Sequence, residues 1–190
     1  MAVKTFTTGE VLTAADTNTY LNNGGLVYIK SQTISSSPSV GSVTVTDAFS
    51  STYDNYKIVI QGGSASSTLT MRFQLGSSTT TYYDGLIYLQ TNATTTVKAT
   101  GSDATNAYWD NCGIADSTRG MYLFMEIQNP AVATYTTAQC QYAYAFGGDG
   151  YVGTNTCVHA TATAYTSFTV ALSSGTMTGG TITVYGYRKA

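Results

Sequence analysis

From Leu26 onward, apolar and polar side chains alternate with a period of two. Leu69, Met71, Phe73 and Leu75 point one way and Thr70, Arg72 and Gln74 the other, the pattern of a half-buried β-strand. Ala138, Cys140, Tyr142, Tyr144 and Phe146 repeat it. Strand chemistry recurs at 26–34, 42–47, 56–61, 85–90, 121–128, 157–164, 168–172 and 181–188, and clusters such as GGSASS and GGDGYVG supply the turns between. Met121 to Gln128 is apolar on both faces and predicts a central strand covered on each side. Thr161, Thr163 and the segment TNATTTVKAT are nearly uncharged and fit sheet edges, where an uncharged edge invites pairing with another chain. Many short strands without any βαβ alternation predict an all-β fold for residues 26–190: an antiparallel β-sandwich, jelly-roll-like in arrangement.

Residues 1–25 read differently. Thr13 stands as a helix N-cap with Asp16 three positions on, and Gly24 and Gly25 end the segment. A helix of roughly ten residues is expected, too short to be stable alone in water. It must dock. Phe6, Val11, Leu12, Tyr20 and Leu21 are the apolar groups for that, either capping the chain's own sheet or anchoring in a neighbouring protein.

Composition then narrows the function. Only 18 of 190 residues are charged, 8 basic and 10 acidic, or 9 % against the roughly 25 % usual in globular proteins. Ser, Thr, Asn and Gln must keep the surface wet. A net charge of −2 with no basic stripe excludes nucleic acid as an expected partner. No apolar stretch approaches the ~20 residues of a spanning helix, so membrane insertion is not expected. The opening residues lack the h-region of a secretory signal, and release by lysis or on an assembled particle is the expectation.

Few residues offer chemistry. Cys112, Cys140 and Cys157 are odd in number and widely spaced, which fits packed, reduced thiols better than a disulfide framework or a metal knuckle. Cys140 falls in the apolar register of its strand. Cys157 and the sole histidine, His159, leave the same face of one strand, so a Cys/His dyad or half a metal site is conceivable, but the local sequence supplies neither an orienting group nor further ligands. His159 reads as a sheet-face residue at a surface or subunit contact. Asp110, Asn111 and Asp116 lack the oxygen spacing of a calcium loop. Most of the aspartates sit where Asp turns the backbone. GGDGYVG at 147–153 is followed by another strand pattern, so it is a glycine-rich hairpin and not a dinucleotide loop. The glycosylation-type triplets at Asn92 and Asn155 carry no weight. No catalytic residue, cofactor or metal is expected.

The binding signal is aromatic. Tyr82, Tyr83, Tyr88, Tyr108, Trp109 and Tyr151 lie in or beside turn-rich segments, and rigid amphipathic rings beside Ser, Thr and Asn make surfaces that grip partners or stack on sugars. With 16 tyrosines, sheet packing accounts for many of them.

The segment KTFTTGEVLTAADTNTYLNNG, residues 4–24, resembles the opening segment of minor tail proteins, fibres and related virion proteins of tailed bacteriophages, in which a stretch close to F-T-A-G-E-V-L-T-A-A-D-x-N-x-Y-L recurs. SGTMTGGTITVYGYRKA is similar to their last strand, and FSSTYDNYKIVI at 49–60 to an internal one. The resemblance covers about a quarter of the chain. It implies a homotrimeric, sandwich-type module attached to the virion by its opening segment. With no charged site or cofactor geometry in the sequence, the expected role is a tail fibre or adhesin that contacts a host-surface glycan or protein, or a capsid decoration. Many such fibres have a long shaft after the opening segment, whereas only Asn22 to Gly25 intervene here. A rival expectation is a glycan depolymerase working through Asp110 and Asp116.

Overall fold

β-branched and aromatic residues on alternate positions favour a pleated, half-buried surface, and the chain forms one. The computed structural model describes residues 5, 7–16, 25–91, 96–146 and 149–189. Its strands are β1 (Leu26–Thr33), β2 (Ser42–Val45), β3 (Asn55–Gly62), β4 (Ser64–Ala65), β5 (Leu69–Leu75), β6 (Tyr82–Thr91), β7 (Thr96–Asn106), β8 (Trp109–Asp116), β9 (Gly120–Gln128), β10 (Thr136–Phe146), β11 (Asp149–His159), β12 (Phe168–Leu172), β13 (Met177–Thr178) and β14 (Thr181–Tyr187). The fold is all-β and antiparallel, as the period of two requires.

One path of strands runs β2-β12-β5-β8-β9-β10-β11-β6-β7, with β1-β14-β3 joined to it at β9. β4 and β13 form a separate two-stranded pair. The join at β9 creates the two layers. β3 occupies one edge of β9 from Met121 to Gln128. Along the other edge, β8 pairs only as far as Leu123, and β10 takes over at Met125. β8 turns away from β9 at Gly113, where a Cβ would overlap the Tyr122 carbonyl. A bulge drives the departure: Met71 pairs with Gly113 and Phe73 with Trp109, so the single residue Arg72 of β5 is matched by three of β8, Asp110 to Cys112. Asn111 absorbs the turn at φ 53°, a left-handed conformation that Asn tolerates. The freed half of β8 crosses the inner face of β10 and β11: Trp109 Nε1–H donates to the Val158 carbonyl at 3.0 Å and Asn155 Nδ2–H to the Asp110 carbonyl at 2.6 Å.

The core lies between these layers. Ile58 and Ile60 of β3, Met121 to Ile127 on alternate positions of β9, and Ile182 and Val184 of β14 are buried. From Tyr56, on the same face of β3, an aromatic chain runs through Phe49, Phe168 and Phe73 to Trp109 and Tyr82, with neighbouring centroids 4.7–5.9 Å apart. Each fully buried ring of this size contributes roughly 1.5–3 kcal/mol through burial. Stacked and edge-on geometry adds ~0.5–1.5 kcal/mol per pair.

Several expectations need correction. β9 is central in its pairing but covered on one face only, since Tyr122, Glu126 and Gln128 are exposed. Residues 109–116, expected as a loop, form β8, because the bulge hides their alternation. β11 begins at Asp149, so part of the glycine-rich segment is strand, whereas Thr161 and Thr163 follow its end. Residues 96–100 of the Thr-rich segment do lie at an edge: β7 ends the strand path and, among the described residues, pairs only with β6.

The capping box forms at the N-terminal side. Asp16 N–H donates to Thr13 Oγ1, and Thr13 N–H to Asp16 Oδ2, each at 3.1 Å. The helix described is Ala14–Asp16. Val11 and Leu12 are exposed, while Phe6, Tyr20 and Leu21 lie outside the described residues.

Candidate functional site

β10 and β11 are eleven residues long and β6 ten, against eight for β8, which crosses their inner face. The long strands therefore carry their inner face beyond the cover. The residues that register places on this overhang are tyrosines. Tyr88 and Tyr142 stand opposite Gly153, one on each side, and Tyr144 stands opposite Tyr151. Side chains directly opposite in an antiparallel pair share a face, so four rings converge: Tyr88–Tyr142 5.9 Å, Tyr88–Tyr151 5.9 Å and Tyr144–Tyr151 6.0 Å between centroids. Gly153 lets them close. A Cβ there would overlap the Ile87 carbonyl and Tyr88.

With Thr68, Leu69 and Thr70 and Ile114, Tyr142, Tyr144 and Tyr151 line a cleft of about 210 Å³. Burial and the neighbouring phenols raise the pKa of Tyr142, so its hydroxyl stays a neutral donor and acceptor. Tyr144 donates to Thr68 Oγ1 at 3.1 Å, and Gln90 Nε2–H donates to the Tyr151 hydroxyl at 3.3 Å. The cleft offers flat apolar faces rimmed by hydroxyls.

Its two nearby carboxylates are fully engaged. Asp116 accepts from Thr68 Oγ1 at 2.6 Å and from Thr118 N–H, Thr118 Oγ1 and Arg119 N–H at 2.9 Å each. The Thr68 bond and then those of the turn hold its pKa far below the ordinary carboxylate value. Such a group cannot hold the proton a general acid must deliver. Asp110 accepts from Thr70 Oγ1 at 3.1 Å and pairs with Arg72 at 3.6 Å. Arg72 in turn covers the Tyr108 ring at 4.3 Å. Both aspartates hold strands and turns in place.

The opposite, outer face carries aliphatic groups. Ala143 stands opposite Val152, Val152 opposite Leu89, and Leu89 opposite Val97, one continuous row across β10, β11, β6 and β7. Val97 is 71 % exposed and Ile87, beside the row, 59 %. The row runs into an open groove of about 810 Å³ lined by Val59, Tyr122, Phe124, Ala143 and Val152 among others.

Of the aromatic residues expected at a partner surface, Tyr151 lines the cleft and Tyr88 packs against it. Tyr82 and Trp109 are fully buried in the core, which corrects that expectation: turn-rich flanks placed them at the surface, but the register turns them inward. Burial raises the Tyr82 pKa to about 12, and its hydroxyl accepts from Leu75 N–H at 2.8 Å. Tyr83 is exposed on the outer face, and Tyr108 is half-buried against Arg72. Tyr142 and Tyr144 were legible only as core positions of an alternating strand. The signal for them was strand length, since an eleven-residue alternation opposite shorter strands must overhang.

His159 is also corrected, from surface to interior. It is fully buried, stacks on Tyr82 at 4.2 Å between centroids, and shares a 2.6 Å hydrogen bond between Nε2 and the Tyr165 hydroxyl. Cys157 likewise faces inward and is fully buried, as are Cys112 and Cys140. Asn155 is buried too, which removes it as a glycan acceptor.

No protein-family model and no curated protein matches the chain. Among solved structures, those of the infectious bursal disease virus Gt and Gx strains align at 8 % and 16 % identity with TM-scores of 0.15 and 0.14. The alignments cover 82 % and 83 % of this chain. The chain spans about two fifths of those chains, 40 % and 39 %. Scores this low establish no common fold.

Proposed function

We propose that this chain is a non-enzymatic structural protein of a tailed-phage virion: a trimeric tail-fibre or adhesin module that docks by its N-terminal segment and grips a host-surface glycan or protein. The observation that carries the binding role is the cleft lined by Tyr142, Tyr144 and Tyr151, with Tyr88 packed against them, which presents aromatic faces rimmed by hydroxyls. Flat amphipathic rings stack on sugar faces while hydroxyls meet sugar hydroxyls, at little cost in side-chain entropy. Trimer formation is supported by the aliphatic outer row that ends at β7, an edge strand whose charges are Lys98 and Asp103. An exposed row of this kind marks a contact surface. The virion placement rests on the sequence resemblance of residues 4–24, 49–60 and 174–190.

The same outer row favours a second reading, capsid decoration, in which it seats on the particle. Two experiments test the proposals. Tyr142→Ala with Tyr151→Ala should abolish adsorption of the protein to host cells or to extracted surface glycan while the chain keeps its folded circular dichroism spectrum; undiminished adsorption refutes the cleft. Ile87→Lys with Val97→Lys should convert a trimer to monomer by native mass measurement. A wild-type chain that is monomeric at micromolar concentration refutes the trimer.

A further inference from the structure

The three cysteines of this chain, 28 and 17 residues apart in sequence, come from β8, β10 and β11 and meet in the interior with their sulfurs all within 4.8 Å of one another. We propose that they form a buried three-thiolate site for one divalent thiophilic cation of the zinc class, with Asn155 positioned to supply an oxygen as fourth ligand.

The fold brings them together for identifiable reasons. Cys140 stands directly opposite Asn155 in the β10–β11 pair, and Cys157 follows Asn155 by two positions, so all three side chains leave the same inner face. The bulge of β8 sets Cys112 over that face. Three thiolates of a four-coordinate ion at ~2.3 Å stand ~3.8 Å apart, so sulfurs that already lie within 4.8 Å of one another need to contract by at most about 1 Å. The second observation is independent of sulfur. Asn155 is fully buried; its Nδ2 donates to the Asp110 carbonyl, but its Oδ1 has no hydrogen-bond partner. An unmet buried carbonyl oxygen destabilises the fold. A cation gives it a partner.

Charge selects the class. Binding follows three S–H plus M²⁺ giving M(S)₃⁻ plus three H⁺, a net charge of −1 with neutral Asn155, whereas a monovalent ion would leave −2 in a dry interior. Asp84 stands opposite Cys157 and its carboxylate accepts from Asp110 N–H at 3.3 Å, which adds a reason to favour the higher-charged cation. Because the site is sealed, the ion must be taken up as the chain folds.

The test is to refold the full chain with Zn²⁺, with Co²⁺, or with chelator, and then to dialyse. The expected result is one ion retained per chain by native mass, a thiolate-to-cobalt charge-transfer band with Co²⁺, and a melting temperature higher by roughly 5–10 °C at free metal a hundredfold above Kd. Cys112→Ala should fold without metal and lose both the ion and the band. If that variant does not fold, Asn155→Leu, which keeps the sulfurs, should retain the cobalt band with weaker metal retention. Refolded wild-type chain that retains no ion overturns the proposal, as does a Cys112→Ala variant that retains the ion as tightly as the wild type.

Discussion

Replacing Trp109 by Phe is the sharpest check on the architecture, because the indole is the point where the freed half of β8 is fastened to the other layer. It is fully buried, stacked on Phe73 at 5.9 Å and edge-on to Tyr82 at 5.6 Å, and its N–H donates to the Val158 carbonyl. The substitution removes that bond, a net loss of about 1 kcal/mol. It also leaves a void of roughly 40 Å³, which at ~24 cal/mol per Å³ costs about another 1 kcal/mol. With some loss of ring contact the sum is about 2–3 kcal/mol. For a domain of this size the melting temperature should fall by roughly 4–12 °C. Circular dichroism melts of both chains measure it. Trp109 is the sole tryptophan, so fluorescence gives a second readout: in the unaltered chain the emission should be blue-shifted and resist quenching by acrylamide. A variant melting within 1 °C of wild type, or an indole quenched as freely as in solution, would refute the layer contact and return Trp109 to the surface.

Other outcomes follow from the same structure. Burial lowers the His159 pKa beneath its ordinary 6.5, so the unfolded chain binds the extra proton first; stability should be full above about pH 6.5 and decline below it down to the folded value, and denaturant titrations should show that decline vanish in His159→Gln. The hydrogen bonds at Asp116 lower its pKa from 3.8, so its contribution is present above that value and lost below it; Asp116→Asn should melt lower at neutral pH, by a margin that narrows as the solution is acidified. At Gly186 an added Cβ would lie 2.5 Å from the Tyr53 ring, so Gly186→Ala should cost about 1–3 kcal/mol in chemical denaturation. Adding Tyr53→Ala to it should cost less than the two single changes summed.

The alternation of Leu69 to Leu75 and Ala138 to Phe146 made the sandwich readable, because a period of two survives wherever pairing is regular. It failed where pairing is irregular. At residues 109–116 the bulge inserts positions that break the rhythm, and with it went the interior place of Trp109 and Cys112. Polarity alone places His159 at the surface, whereas a ring held by Tyr82 and Tyr165 is accommodated in the interior. The tyrosine cleft depends on the difference in length between strands in separate layers, and no local pattern reports that. The meeting of the three cysteines is likewise a matter of register across strands far apart in sequence.

The shared strand β9 has a mechanical implication. In a sandwich of two independent sheets, the layers can shear past one another or part while each keeps its own ladder. Here a tug on either layer is delivered to the same backbone, so neither can be peeled away without unzipping the other. Amide exchange along Met121 to Ile127 should therefore be the slowest in the chain and should track global unfolding, the behaviour of a part made to bear load as a single piece.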